Sequence, residues 1–329
     1  MQENTNMKKN NYFLSTLLVV FLVGILLTVV GICSGGRLFS YEITTEDEKN
    51  TKTTSGATTL SDADASTITG LDFNFKAHSA KIVMGNQFEI SGKGNYESYV
   101  KDGIWYIETK YPRAYVRFLS RKIEIPAFWN GWDEDEGEFT ITLPADTHFT
   151  TADIKLAAGN LHGDALSSNK INFKVGAGEL KFKEISAKEL TTKVGAGEAS
   201  FNEFSIEESC DIKVGAGEIY FGSEDNILSE NVIANLNGEC AAGEIYIAGK
   251  LTGDADLDCS TGEIDLLLYG NRNDYSINTS GALAEINIDD SAENKNENSS
   301  LDNNTENKEQ FANISLDCSL GEINVEFEE

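Results

Sequence analysis

From about residue 150 to the C-terminus, apolar and polar residues alternate at every second position, and the alternation keeps returning to one short glycine motif. It reads VGAGEL at 175–180, VGAGEA at 194–199, VGAGEI at 214–219, CAAGEI at 240–245, CSTGEI at 259–264 and CSLGEI at 318–323. LAAGNL at 156–161 and NTSGAL at 278–283 are weaker copies. Aligned on Gly159, Gly178, Gly197, Gly217, Gly243, Gly262, Gly281 and Gly321, three columns are almost wholly apolar. Three residues before each glycine stand Leu156, Val175, Val194, Val214, Cys240, Cys259, Asn278 and Cys318. Two after it stand Leu161, Leu180, Ala199, Ile219, Ile245, Ile264, Leu283 and Ile323. Four after it stand Gly163, Phe182, Phe201, Phe221, Ile247, Leu266, Glu285 and Val325. The residues between these columns are mostly polar.

Side chains alternate faces along a strand, so this pattern predicts strands with one face on a core. A helix is excluded: the apolar period is two, and each copy carries glycines that cost about 1 kcal/mol apiece inside a helix. Self-similarity every 19 or 20 residues, as from Gly159 to Gly178, Gly197 and Gly217, is the mark of a solenoid. The fold class is therefore all-β, a parallel β-solenoid whose coils stack about 4.8 Å apart. Glycines serve corners where a Cβ would strike the neighbouring coil.

Other segments bracket these regular repeats at 151–329. Lys8 and Lys9 precede an uninterrupted apolar run over 12–33, long enough to span a bilayer as a helix. The run exceeds a normal signal-peptide core and no A-x-A site follows; Ile32 is a poor neighbour for a lipidated Cys33. The expectation is an uncleaved anchor with a short cytoplasmic tail at 1–11 and an external body. Residues 34–66, rich in Thr, Ser, Asp and Glu, read as a flexible tether. Residues 67–150 read as opening coils with longer loops, where Leu71, Phe73 and Phe75, then Ile104, Tyr106 and Glu108, then Ile123 and Ile125, then Phe139, Ile141 and Leu143 alternate. The stretch 289–310 is nearly all Asn, Glu, Ser, Asp and Lys, a polar insertion expected to be disordered in the double spacing between Gly281 and Gly321.

The formal net charge of −28 argues against nucleic acid and anionic lipid as partners of the body. His78, His148 and His162 share no metal-ligand spacing, and no G-x-S-x-G, Walker loop or C-x-x-C is present. Cys240, Cys259 and Cys318 occupy the valine column and read as core residues. Two features remain as candidate contact sites. Trp129 and Trp132, with Phe128, stand beside Asp133, Glu134, Asp135 and Glu136 in the loop 126–137, which reads either as a long hairpin tip whose tryptophans fold back onto the coil or as a sugar or cation site that lacks the calcium-hand pattern. Glu179, Glu198, Glu218, Glu244 and Glu263, and later Glu322, share the outward column one residue past the glycine, interrupted at Ala282. Carboxylates stacked about 4.8 Å apart either splay among lysines such as Lys174, Lys181 and Lys193 or bind cations such as calcium along the row. A single row of monodentate carboxylates is a poor calcium cage, so no metal is assigned.

The repeat V-G-A-G-E-I, following a strand that ends in ITLPADTHF at 141–149, resembles the bacterial putative-adhesin family. The resemblance covers about 68–329 and implies a β-helical envelope domain of unassigned function with no catalytic residues. It associates such domains with adhesion or with regulation of envelope stress. The expected function is thus a non-catalytic, membrane-anchored surface module that binds or scaffolds a surface glycan or envelope protein. The alternative is an accessory to an envelope-stress sensor, acting through a membrane partner. A carbohydrate-active β-helix enzyme, such as a polysaccharide lyase, needs an acidic cluster beside grouped basic residues, and the lysines look scattered.

Overall fold

A computed structural model describes residues 39–42, 58–76, 78–92, 96–109, 113–118, 121–126, 139–223, 229–281, 285–288 and 311–328. It contains two units, one of residues 1–51 with 111–131, the other of 52–110 with 132–329. The first holds a three-stranded antiparallel sheet, in which Arg113–Phe118 pairs with both Phe39–Glu42 and Arg121–Pro126. The second is the solenoid. The expected span at 12–33, the loop carrying Trp129 and Trp132, and the insertion at 289–310 lie outside the described residues.

Each regular coil is one long run of extended chain, as in Asn160–Val175, Glu179–Val194 and Glu198–Val214. In the second of these, Leu180 and Phe182, then Ile185 and Ala187, then Leu190, Thr192 and Val194 are buried. The groups are separated where two successive polar residues point outward, at Lys183–Glu184 and Lys188–Glu189. Doubling the outward residue turns the chain without breaking the inward rhythm, so a single run wraps the core. Coils pair in parallel, with Glu179 opposite Glu198, Phe182 opposite Phe201 and Val194 opposite Val214. All three apolar columns of the regular coils are buried as the alternation requires.

The glycines explain why coils can approach this closely. A Cβ on Gly178, Gly197, Gly217, Gly243, Gly262 or Gly321 would lie 2.0–2.4 Å from the carbonyl oxygen of the glycine one coil below. That oxygen accepts from the amide of the following glutamate, as when Glu198 N–H donates to Gly178 O at 2.9 Å. The residue is glycine because the neighbouring backbone occupies the space a side chain would need.

Three expectations are corrected. First, the last two coils do not stack in chain order. Ala312–Cys318 pairs on one side with Glu244–Cys259 and on the other with Tyr275–Gly281, so the C-terminal coil is inserted beneath the coil that precedes it. Glu322–Glu328 is likewise held between Glu263–Tyr269 and Glu285–Ile288. Secondly, Gly281 is not an anchoring glycine: it faces Cys318, and Glu285 faces Glu322, so the last copy reads GALAEI at 281–286. This coil is outermost, with Asn278, Thr279, Ser280 and Gly281 exposed and Ile286 and Ile288 half-buried, which is why its pattern is weak. Thirdly, the inward face of Ile104–Thr109 is Trp105, Ile107 and Thr109 rather than Ile104, Tyr106 and Glu108. The hairpin turn at Asp102–Gly103, both at positive φ, fixes the register one residue from the alternation read in sequence.

The opening stretch 67–150 is of mixed construction. Gly70–Phe75 pairs in parallel with Phe149–Leu156, and Ala80–Gly85 with Phe139–Pro144. Glu89–Gly92 and the hairpin Tyr96–Lys101 with Ile104–Thr109 add antiparallel pairs, and 113–126 belongs to the other unit. Within 34–66, read as a tether, Thr58–Thr59 pairs with Glu89–Gly92 and Asp62–Ala65 forms one helical turn.

Candidate interaction surface

Two outward rows flank the glycine corner of the solenoid. In-register parallel pairing dictates them, because one outward residue per coil is placed directly beside its counterpart on the next. Past the corner runs the glutamate row, and the inserted coil makes it longer than the sequence suggested. Glu322 follows Glu263 directly and Glu285 follows Glu322, so seven carboxylates stand in succession from Glu179 to Glu285. The interruption expected at Ala282 is absent from the stack. Glu218, Glu244, Glu263, Glu322 and Glu285 border an open groove of about 630 Å³, beside Leu320, which is 62% exposed.

The row is not electrically uniform. Lys181 Nζ lies 2.9 Å from Glu179 Oε1 and 3.3 Å from Glu198 Oε1, and His162 Nε2 is 3.3 Å from Glu179 Oε1. Tyr220 Oη donates to Glu218 Oε2 at 3.0 Å. Farther along, the residue two past each glutamate becomes Asp265, which sharpens the repulsion. Lys181 holds the Glu179 carboxyl below its usual range, helped by His162 and opposed by partial burial. Asp265, then burial, Glu322 and Glu244 hold that of Glu263 above it.

These shifts have opposite signs for stability. The Glu179 contribution is present above the unfolded value of 4.5 and is lost as the pH falls through its lower folded value. The Glu263 penalty is present above its raised folded value and disappears as the pH falls below 4.5. At pH 7, Glu179→Gln is therefore expected to destabilise the fold and Glu263→Gln to stabilise it, each by less than about 1 kcal/mol because both sites are partly solvated, read as a lower and a higher melting temperature. Both differences fade in acid. Shifts of the same sign at pH 7 would refute the assignment.

Before the corner runs a second row that sequence reasoning missed. Lys155, Lys174, Lys193 and Lys213 are stacked in register and continue into Glu239, Asp258 and Asp317. The lysines are not scattered: each stands four residues before an anchoring glycine, a column visible once the repeat is aligned. With Ala157, Gly176, Gly195, Gly215 and Ala241 they line a groove of about 770 Å³. Lys155 Nζ lies 3.5 Å from Asp72 Oδ1, and Lys213 is paired with Glu239. Lys174 and Lys193 are exposed and have no carboxylate at ion-pair distance among the described residues.

Among the described residues no three His, Cys, Asp or Glu side chains converge as a metal-binding group. His78, His148 and His162 stay apart in role: His78 is buried against Phe139, His148 bonds Ser167 and Asn169, and His162 meets Glu179. Cys240, Cys259 and Cys318 are free, buried and stacked one coil apart in the valine column. Burial raises the Cys240 thiol and pushes that of Cys259 up to about 12, so both behave as core side chains. Among the described residues no helix is long and apolar enough to cross a membrane.

No curated protein matches the chain. Among solved structures, it is similar to a putative adhesin from Bacteroides fragilis NCTC 9343 with 11% identity, 82% of this chain and 94% of that one covered, and a TM-score of 0.45. A putative cell adhesion protein from Clostridium sporogenes ATCC 15579 shows 13% identity, coverage of 83% and 98%, and a TM-score of 0.26. Residues 76–326, most of the chain and nearly all of its repeats, match the model of the Toastrack DUF4097 family, and the protein belongs to that family.

Proposed function

We propose that the protein is a non-catalytic, adhesin-like binding or scaffolding module of the cell surface, its solenoid held outside the membrane by residues 12–33. The observation that carries this reading is the pair of long outward rows. A continuous apolar core fixes them at the coil repeat, and extended surfaces of this kind are what solenoids use for binding. Among the described residues the charged groups lie along rows, an arrangement that suits an extended partner better than a reacting small molecule. The apolar run at 12–33 supports the anchor.

The topology has a direct test. Protease added to intact cells that lack an outer membrane should cut within 34–66 and release the body as one resistant fragment. Full protection until lysis would place the body inside and end the surface reading. Exchanging 12–33 for an unrelated apolar span should leave surface binding intact; loss of an envelope-stress response after that exchange would favour the sensor accessory instead.

A further inference from the structure

The lysine row and its acidic continuation have a property that neither half has alone: read along the stack, the column is complementary to its own reverse. Its order is Lys155, Lys174, Lys193, Lys213, Glu239, Asp258, Asp317, with Ser280 on the outermost coil. We propose that a second copy of the chain docks on this edge about a two-fold axis perpendicular to the stack. Lys174 then faces Asp317, Lys193 faces Asp258 and Lys213 faces Glu239 of the other copy, and each contact occurs twice. Such an interface is isologous and closes as a dimer. It needs only the solenoid and does not rest on the membrane anchor.

Three observations carry the proposal. Apart from the Lys213–Glu239 pair, the charges that meet have no oppositely charged partner among the described residues. Lys174 and Lys193 are stacked like charges with no carboxylate partner among the described residues, in a protein of net charge −28. At the other end Asp258 is crowded by Asp256, Asp317 and Glu239, and Asp317 accepts from the Ser280 hydroxyl at 2.7 Å. Lys155, which the two-fold leaves over, already has Asp72. Next, the two rows are commensurate by construction, since both copies carry the same coil spacing. A soluble polyanion would suit the lysine half but would meet Glu239, Asp258 and Asp317 as it continued along the same row. Finally, the outward column along the groove floor is small throughout, Ala157, Gly176, Gly195, Gly215, Ala241 and Ser260, while the larger Leu156, Val175, Val194 and Val214 between them are buried in the core.

The net negative charge opposes the approach of two copies at long range, but at physiological ionic strength this field is screened beyond about 8 Å. Contacts at ion-pair distance survive that screening and weaken at about 1 M salt, where the screening length is about 3 Å. Dissociation of the dimer by salt alone, without unfolding, is therefore part of the expectation.

The test uses the full chain in detergent micelles. A carbodiimide joins an ammonium to a carboxylate with no spacer, and peptides linking Lys174 to Asp317 and Lys193 to Asp258 are expected by mass spectrometry. Within one chain these pairs are separated by five and three coil steps, about 24 and about 14 Å at about 4.8 Å per coil, so such links arise only between copies. In sedimentation, Lys174→Asp with Lys193→Asp should weaken association at least about tenfold, and so should Asp258→Lys with Asp317→Lys. An equimolar mixture of the two variants should restore it. Unchanged thermal melts establish that both fold, and Lys174→Gln with Lys193→Gln replaces a variant that does not. A wild type that stays monomeric at its highest soluble concentration, or a mixture that fails to associate, overturns the proposal. So does a monomer that binds polyphosphate through Lys174 and Lys193, which would make the row an anion site.

Discussion

Phe201→Ala is expected to lower the stability of the solenoid by about 3–5 kcal/mol in a denaturant melt. The ring is 0% exposed and lies 5.3 Å from the ring of Phe173 and 4.8 Å from that of Phe221, centroid to centroid. It is also opposite Phe182 in register. Removing it leaves a cavity between coils whose backbones are locked by interstrand hydrogen bonds, so the space cannot collapse. Lys181→Ala, one position out of phase with the core, loses only partly solvated contacts to Glu179 and Glu198 and should cost no more than about 1 kcal/mol. Equal losses at the two sites would mean that the faces of this strand are assigned the wrong way round.

Gly243→Ala should be nearly as damaging although it adds a single methyl group. The new Cβ would sit 2.0 Å from the carbonyl oxygen of Gly217 and 2.6 Å from Val214 Cγ1. Overpacking of a core commonly costs about 1–3 kcal/mol, and this site belongs at or above the upper limit because the main obstruction is backbone. The same oxygen accepts from Glu244 N–H at 3.0 Å, and Gly243 O accepts from Glu263 N–H at 2.9 Å. Displacing the corner therefore loosens bonds to two neighbouring coils. Ala242→Ser, exposed and one residue earlier, should change stability by less than about 0.5 kcal/mol. Faster amide exchange confined to coils 214–263 would locate the damage, and a wild-type melt for Gly243→Ala would refute close packing at the corner.

The solenoid and its inward columns were legible because two periods coincide, an apolar repeat of two inside a glycine repeat of about twenty. The glutamate row was legible for the same reason: its residue type barely varies from Glu179 to Glu263. The lysine row was not, because its column changes sign at Glu239 and therefore has no consensus. The order of the coils was hidden more deeply. CSLGEI at 318–323 and NTSGAL at 278–283 both resemble a continuation of CSTGEI at 259–264, and alternation cannot say which one stacks there. Burial decides it. Ile314, Leu316, Cys318, Ile323 and Val325 fill the core, whereas the earlier coil offers in the same columns the half-buried Ile277, the exposed Thr279 and Gly281, and the half-buried Ile286 and Ile288. In Ile104–Thr109 apolar residues occupy both faces, so the register waited on the hairpin turn.

The inserted coil bears on how the protein is made. A chain emerging from its N-terminus completes 275–288 before 311–328 exists, and at that moment the edge beside 253–269 is open. The earlier segment is then free to pair there, three residues out of its final phase if the glycines align, and must yield when the C-terminal coil arrives. An unfilled strand edge is also a template for other chains. Residues 311–328 thus act as a wedge: until they are in place the stack keeps either an open edge or a misphased cap, and once seated they leave 275–288 outermost with its polar residues facing water.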